Sequence, residues 1–172
     1  TGLLQVFVPA DGCVDLDDLT SRDRVRVLHH ADTDAPASDA VGALHRALPD
    51  FPVHRLARVT AQLAAGPLTP DVPGFERALS AKARKALGDE RVNQGLYEVA
   101  QGAGHKLGGY PAFTQEDPRT EKRYKKYDAL LLQLDSDEVV SWGDAGIANV
   151  FVPAEALARG DFSDVLFTSD SL

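Results

Sequence analysis

The segment Ala129–Asp135 is apolar up to Leu134 at every position except Gln133. A short Leu-rich run of this kind is the pattern of a strand covered on both faces, so it reads as a central strand of a sheet. The rest of the chain must supply that cover. Val139–Trp142 and Ile147–Val152 read as further strands, with Gly143 and Gly146 at the turn between them. Pro153–Arg159 reads as a short helix with Pro153 in its first turn and Gly160 at its end. Val165–Thr168 closes the series as a last strand.

Upstream, Leu3–Val8 is a compact apolar run bounded by Pro9 and Gly12, and Asp23–His30 alternates, so both read as strands. Residues 31–52 read as a long surface loop with a short helix over Val41–Leu48. Val53–Leu63 alternates again, with Val53, Ala57, Val59, Ala61 and Leu63 on one face, and is predicted as a strand. Three prolines between Gly66 and Pro73 break the chain. The period then becomes helical. Phe75, Ala78, Leu79, Ala83, Ala86 and Leu87 form one stripe, and Val92, Leu96, Val99, Ala100 and Ala103 another. Gly88 suits the end of the first helix and Asp89 the N-cap of the second. These elements predict an α+β fold: a largely antiparallel sheet packed by an αα-hairpin over residues 73–103. The 172 residues suit a single domain over 1–172.

Val6-Phe-Val-Pro-Ala10 recurs as Val150-Phe-Val-Pro-Ala154, each copy following a glycine, Gly2 or Gly146, at the same offset. The echo suggests an internal duplication of a strand-turn unit. The first copy has nothing before Thr1, and methionine is absent from the chain. The expectation is a domain lacking, or trimmed of, an N-terminal portion.

Charge and composition narrow the function classes. A net charge of −8 opposes non-specific nucleic-acid binding, which works by neutralising phosphates. No apolar run is long enough for a transmembrane helix, and no membrane partner is expected. Cys13 is the one cysteine, so no internal disulfide and no cysteine-based zinc site can form; a cytoplasmic location is the expectation. Arg119-Thr-Glu-Lys-Arg-Tyr-Lys-Lys126 gathers basic residues into a surface loop or a docking patch for an anionic partner.

No familiar ligand motif survives inspection. The glycines at 102, 104, 108 and 109 lack the spacing and the preceding strand of a dinucleotide loop, and no P-loop occurs. Asp11, Asp15, Asp17 and Asp18 crowd one loop without the central Gly and closing Glu of an EF-hand. His29 and His30 point to opposite faces of a strand, and His45 and His54 lack partners at ligand spacing. Neither a metal site nor a cofactor is expected. His105 stands at a predicted helix end and opens a Gly-Tyr-Pro turn, as a cap or as a catalytic group. Asp135, Asp137, Glu138 and Asp144 gather around a strand turn, where carboxylates stabilise turns or hold a cation. Trp142, the one tryptophan, is a core residue or lines a pocket with Tyr110 and Phe113.

Four motifs carry a family resemblance: His105-Lys-Leu-Gly-Gly-Tyr-Pro111 with Gln115, Leu131-Leu-Gln-Leu-Asp-Ser136, Trp142-Gly-Asp-Ala-Gly146 and Phe162-Ser-Asp-Val165. In order and spacing they resemble the YwqG-like family over residues 105–168. The resemblance implies an α+β fold with a largely antiparallel sheet, and supplies no reaction, since that family has no agreed activity. Two functions compete. One is a non-catalytic binding or protein-interaction module, of which an immunity-type factor is an analogy, for an unknown protein or small ligand. The alternative is a divalent-cation-dependent hydrolase using Asp135, Asp137 or Asp144 with His105. Candidate ligand-facing residues are His105, Tyr110, Gln115, Asp135, Trp142 and Asp144. The Gly-Tyr-Pro loop and the Trp-Gly-Asp turn are expected to meet.

Overall fold

The computed structural model describes residues 2–9, 17–34, 51–55, 57–65, 68, 75–99 and 102–172, with backbone alone at 97–99. Two antiparallel sheets organise them. Strands β1 (Leu3–Phe7) and β2 (Arg26–His30) pair with Val6 opposite Val27. Strands β3 (Lys106–Leu107), β4 (Ala129–Asp135), β5 (Ile147–Val152) and β6 (Leu166–Asp170) form the second sheet in that spatial order. The helices are short: α1 (Phe75–Ala78), α2 (Ala81–Ala86), α3 (Glu90–Val99) and α4 (Ala154–Ala158). The fold is α+β with antiparallel sheets, as the strand patterns imply.

Strand β5 is buried at every position, because both faces of the sheet are covered. On one face Ala148, Val150, Val152 and Phe167 pack with Trp142, with Val27 of β2 and with Val25 just before it. On the other, Phe151, Leu130 and Leu166 pack with Tyr124, Tyr127 and Leu19, and Phe113 borders them. Burial of each such side chain contributes about 1.5–3 kcal/mol, so the second sheet is the stable centre of the molecule.

A β-bulge in β4 decides which residues face which side. Leu130 pairs with Phe151 and Leu132 with Val150, leaving Leu131 as the extra residue. Side chains alternate along a strand, so the inserted residue reverses the phase. Leu130, Gln133 and Asp135 therefore share the Phe151 face, while Leu132 and Leu134 join the Trp142 face.

Several expected elements are altered. The predicted strand Val53–Leu63 shrinks to one bridge between Val53 and Val140. Residues 57–65 are exposed without regular structure, Val59 and Leu63 included. Alternation shows only that a segment can line a sheet; a ladder also needs a free edge. The predicted strand Val139–Trp142 reduces to the same bridge, because Asp137 Oδ1 accepts from the Val139 and Val140 N–H groups at 2.6 and 2.9 Å. The first helix of the predicted hairpin is split. Ser80 Oγ accepts from Ala83 N at 3.2 Å and caps a new helix start. Asp89 caps α3 as expected, accepting from Arg91 N at 3.0 Å. Phe75 is buried, and Leu79, Leu87 and Leu96 are half-buried. The predicted helix Val41–Leu48, Cys13, His45 and the acidic loop before Asp17 lie outside the described residues.

Both copies of the sequence echo are strands, β1 and β5. Their glycines share a constraint. A Cβ on Gly146 would stand 2.1 Å from Trp142 O, and one on Gly2 would stand 2.6 Å from His30 O. A neighbouring backbone carbonyl excludes any side chain at both positions.

Candidate functional site

The stretch from Gly102 to Gln115 has almost no ladder of its own, yet its backbone is held on the sheet. Gln133, fully buried on β4, donates from Nε2 to Gly102 O and Gly104 O, both at 2.8 Å. Its Oε1 accepts from Ala112 N at 2.8 Å. Asn149, opposite it on β5, donates from Nδ2 to Ala112 O at 2.9 Å. The two amides act as substitutes for a strand backbone. Lys106 Nζ adds donations to Gly102 O and Tyr110 O. Burial pushes the Lys106 ammonium below its ordinary pKa, against the charge of Asp135.

His105 sits six residues beyond α3 and caps no helix end, a correction to its sequence reading. The polypeptide leaves the helix before reaching it, and the ring is held at the β4 turn instead. Nδ1 accepts from Asp135 N at 3.1 Å, so that nitrogen bears a lone pair and the proton sits on Nε2. Nε2–H donates to Asp137 Oδ2 at 3.1 Å. The ring's bond, followed by the Val140 and Val139 N–H groups, holds the Asp137 carboxyl down at about 2. Asp135 is engaged at both oxygens. Oδ2 accepts from Gly104 N at 2.6 Å and Oδ1 from Ser136 N at 2.8 Å. Among the described residues, no three His, Cys, Asp or Glu side chains are placed to hold a metal ion.

The remaining candidates are dispersed. Gln115 is exposed, and its Nε2 donates to Ser171 O at 2.6 Å. Its N–H and that of Thr114 donate to Asp170 Oδ2 at 2.8 and 2.9 Å. Burial raises the Asp170 carboxyl above its ordinary pKa despite those two donors. Asp144 is exposed on the turn, where its carbonyl accepts from Leu172 N at 3.1 Å. Trp142 is buried against Phe167, ring centroids 6.0 Å apart and edge-on.

The Gly-Tyr-Pro loop and the Trp-Gly-Asp turn are joined at their tails, where Thr114 Oγ1 donates to Ala145 O at 3.3 Å. The aromatics themselves are separated by the sheet. Trp142 packs on the Val150 face, whereas Ala112 is held by Asn149 on the opposite one. Trp142 therefore lines no pocket with Tyr110.

Tyr110 opens instead onto a cleft of about 740 Å³ that includes Pro111, Leu130 and Gly109 in its wall. Its polar lining is Arg119, Thr120, Lys125 and Asp128. Much of the basic run is internally paired. Asp117 takes Arg119 Nη2 at 2.7 Å and Nε at 2.9 Å, and the guanidinium lies 4.1 Å above the Phe151 ring. Arg123 pairs with Glu121 at 2.8 Å and Lys126 with Asp164 at 2.6 Å. Lys125 makes no hydrogen bond or ion pair among the described residues.

Sequence reasoning marked Arg119, Thr120 and Lys125 only as part of the basic run 119–126, a surface loop or docking patch, and missed Asp128 in the cleft and Gln133 and Asn149 as the loop's anchors. The signal for the anchors was present: a lone amide inside each of two apolar strands. Which members of the basic run are paired left no signal, since such a run looks the same either way.

No described helix is long and apolar enough to cross a membrane. No curated protein matches the sequence significantly. The sequence does match, over residues 1–171, the family described as Domain of unknown function (DUF1963). With its four motifs placed on the strand and loop framework above, the chain belongs to that DUF1963, or YwqG-like, family.

Proposed function

We propose that this domain is a non-catalytic binding module whose partner enters the cleft between Tyr110 and Lys125. One contrast carries the reading. Both ring nitrogens of His105 and all four carboxylate oxygens of Asp135 and Asp137 are engaged in holding turns. A general base needs an open nitrogen or oxygen within reach of its substrate, and a cation needs open carboxylate oxygens. The cleft side chains are differently disposed: Tyr110 is 45% exposed, and Lys125 has no partner among the described residues.

The test is a fragment titration followed by amide chemical shifts, with p-nitrophenyl phosphate and acetate assayed alongside in magnesium, manganese or zinc. The expected shifts cluster at Gly109, Tyr110 and 119–130, with no turnover above the solution rate. Turnover abolished by both His105→Ala and Asp135→Asn, or shifts centred on His105 and Asp137, would replace this reading with the cation-dependent hydrolase.

A further inference from the structure

We infer that the cleft takes a small molecule carrying one anionic group on a flat, apolar body. The inference deepens the binding-module reading and rests on it. The body is specified by the wall. Tyr110, Pro111 and Leu130 offer an aromatic ring, a rigid ring and an aliphatic side chain. Flat apolar groups gain most against such surfaces, by burial and by offset stacking.

The anionic group is specified by Lys125 and Arg119. Lys125 has three N–H donors and no partner among the described residues. Arg119 directs Nε and Nη2 to Asp117 and Nη1 weakly to Tyr127 O at 3.4 Å. A guanidinium has five N–H donors, so one on each terminal nitrogen remains. Asp117 neutralises its charge, which leaves Lys125 as the cation of the wall without a partner among the described residues.

Asp128 limits the number of anionic groups to one. Its Oδ1 is fixed by Ala154 N at 2.8 Å, at the start of α4, so the carboxylate stays at the wall. It repels a second anion and accepts from a ligand hydroxyl or amino group. The chain's net charge of −8 acts in the same direction at longer range, favouring a small anion over a polyanionic chain.

Benzoate, phenyl phosphate and benzamide separate these contributions, since benzamide keeps the shape of benzoate and lacks its charge. The three are titrated into the full chain and into Lys125→Gln and Tyr110→Ala, each shown by its amide spectrum to be folded. Saturable shifts of the Gly109, Thr120 and Lys125 amides with benzoate or phenyl phosphate are expected. Benzamide should bind at least about tenfold more weakly, the factor supplied by one charge-assisted hydrogen bond. Lys125→Gln should bring the oxyanions down to the benzamide level, and Tyr110→Ala should weaken all three probes. Benzamide binding as well as benzoate, or undiminished benzoate binding by Lys125→Gln, overturns the anionic specificity and leaves the cleft a binding site. Cleft amides unmoved by all three probes overturn both.

Discussion

At the residue scale, His105 shows how one ring can define a turn. It receives a backbone N–H on one side and donates to Asp137 on the other, which holds that carboxyl at about 2. A carboxylate with a depressed folded pKa contributes stability that is fully present above its unfolded value, about 3.9, and is lost as pH falls through the folded value. His105→Ala removes the largest cause and leaves the Val139 and Val140 donors. The Asp137 pKa, followed by carbon-13 carboxylate titration, is expected to rise part of the way to the ordinary range. The stability gap between parent and variant should also close as pH drops below about 4 toward about 2. An unchanged Asp137 titration would show that the ring does not act on it. That His105 matters was legible in the Gly-Tyr-Pro motif. Its use of both nitrogens was not, because the second partner lies 32 residues away, across a turn whose geometry no local pattern encodes.

At the element scale, the Gly102–Gln115 loop depends on amides rather than on a strand partner. Gln133→Leu would keep much of the volume and strand propensity while leaving Gly104 O and Ala112 N without these bonds and Gly102 O with Lys106 Nζ alone. A buried backbone group so stranded costs about 1–3 kcal/mol, so a loss of about 2 kcal/mol or more in chemical denaturation is expected. Hydrogen exchange at Ala112 should accelerate more than at Val150. Equal acceleration throughout would mean that the loop and sheet open as one unit. The strand over Ala129–Asp135 was legible from its apolar run, and so was the oddity of its glutamine. The bulge was not, since a row of leucines reads the same in either phase. The Val53–Leu63 and Val139–Trp142 strands failed for a related reason: their patterns fit a sheet, while Asp137 claims two of the N–H groups the second would need.

At the scale of the whole molecule, one face of the four-stranded sheet carries the β1–β2 pair and the other carries the loop and cleft. Trp142 stands in the first of these layers with Val25, Val27 and Phe167. Trp142→Ala is expected to cost about 3–5 kcal/mol in denaturant unfolding and to loosen β1–β2, read by faster exchange of Val27 than of Phe151. The cleft amides should keep their shifts, because the sheet lies between. A variant that lost both layers together would show them to be one cooperative unit. The antiparallel α+β character was visible in the strand periods. The assignment of motifs to opposite faces was not, since it depends on the phase of β4 on each side of Leu131.

That phase change has a bearing on how the chain finds its fold. A uniform strand of leucines can slide along its neighbour by two residues with little penalty, since the same faces stay buried. Here the buried amides Gln133 and Asn149 stand opposite each other, and the inserted Leu131 lies beside them. Any slippage carries Gln133 under an apolar partner and places Leu131 where no extra residue fits. The polar pair and the bulge together work as a key with two teeth, admitting one alignment of β4 on β5 and discouraging the mispairing to which a run of leucines is prone.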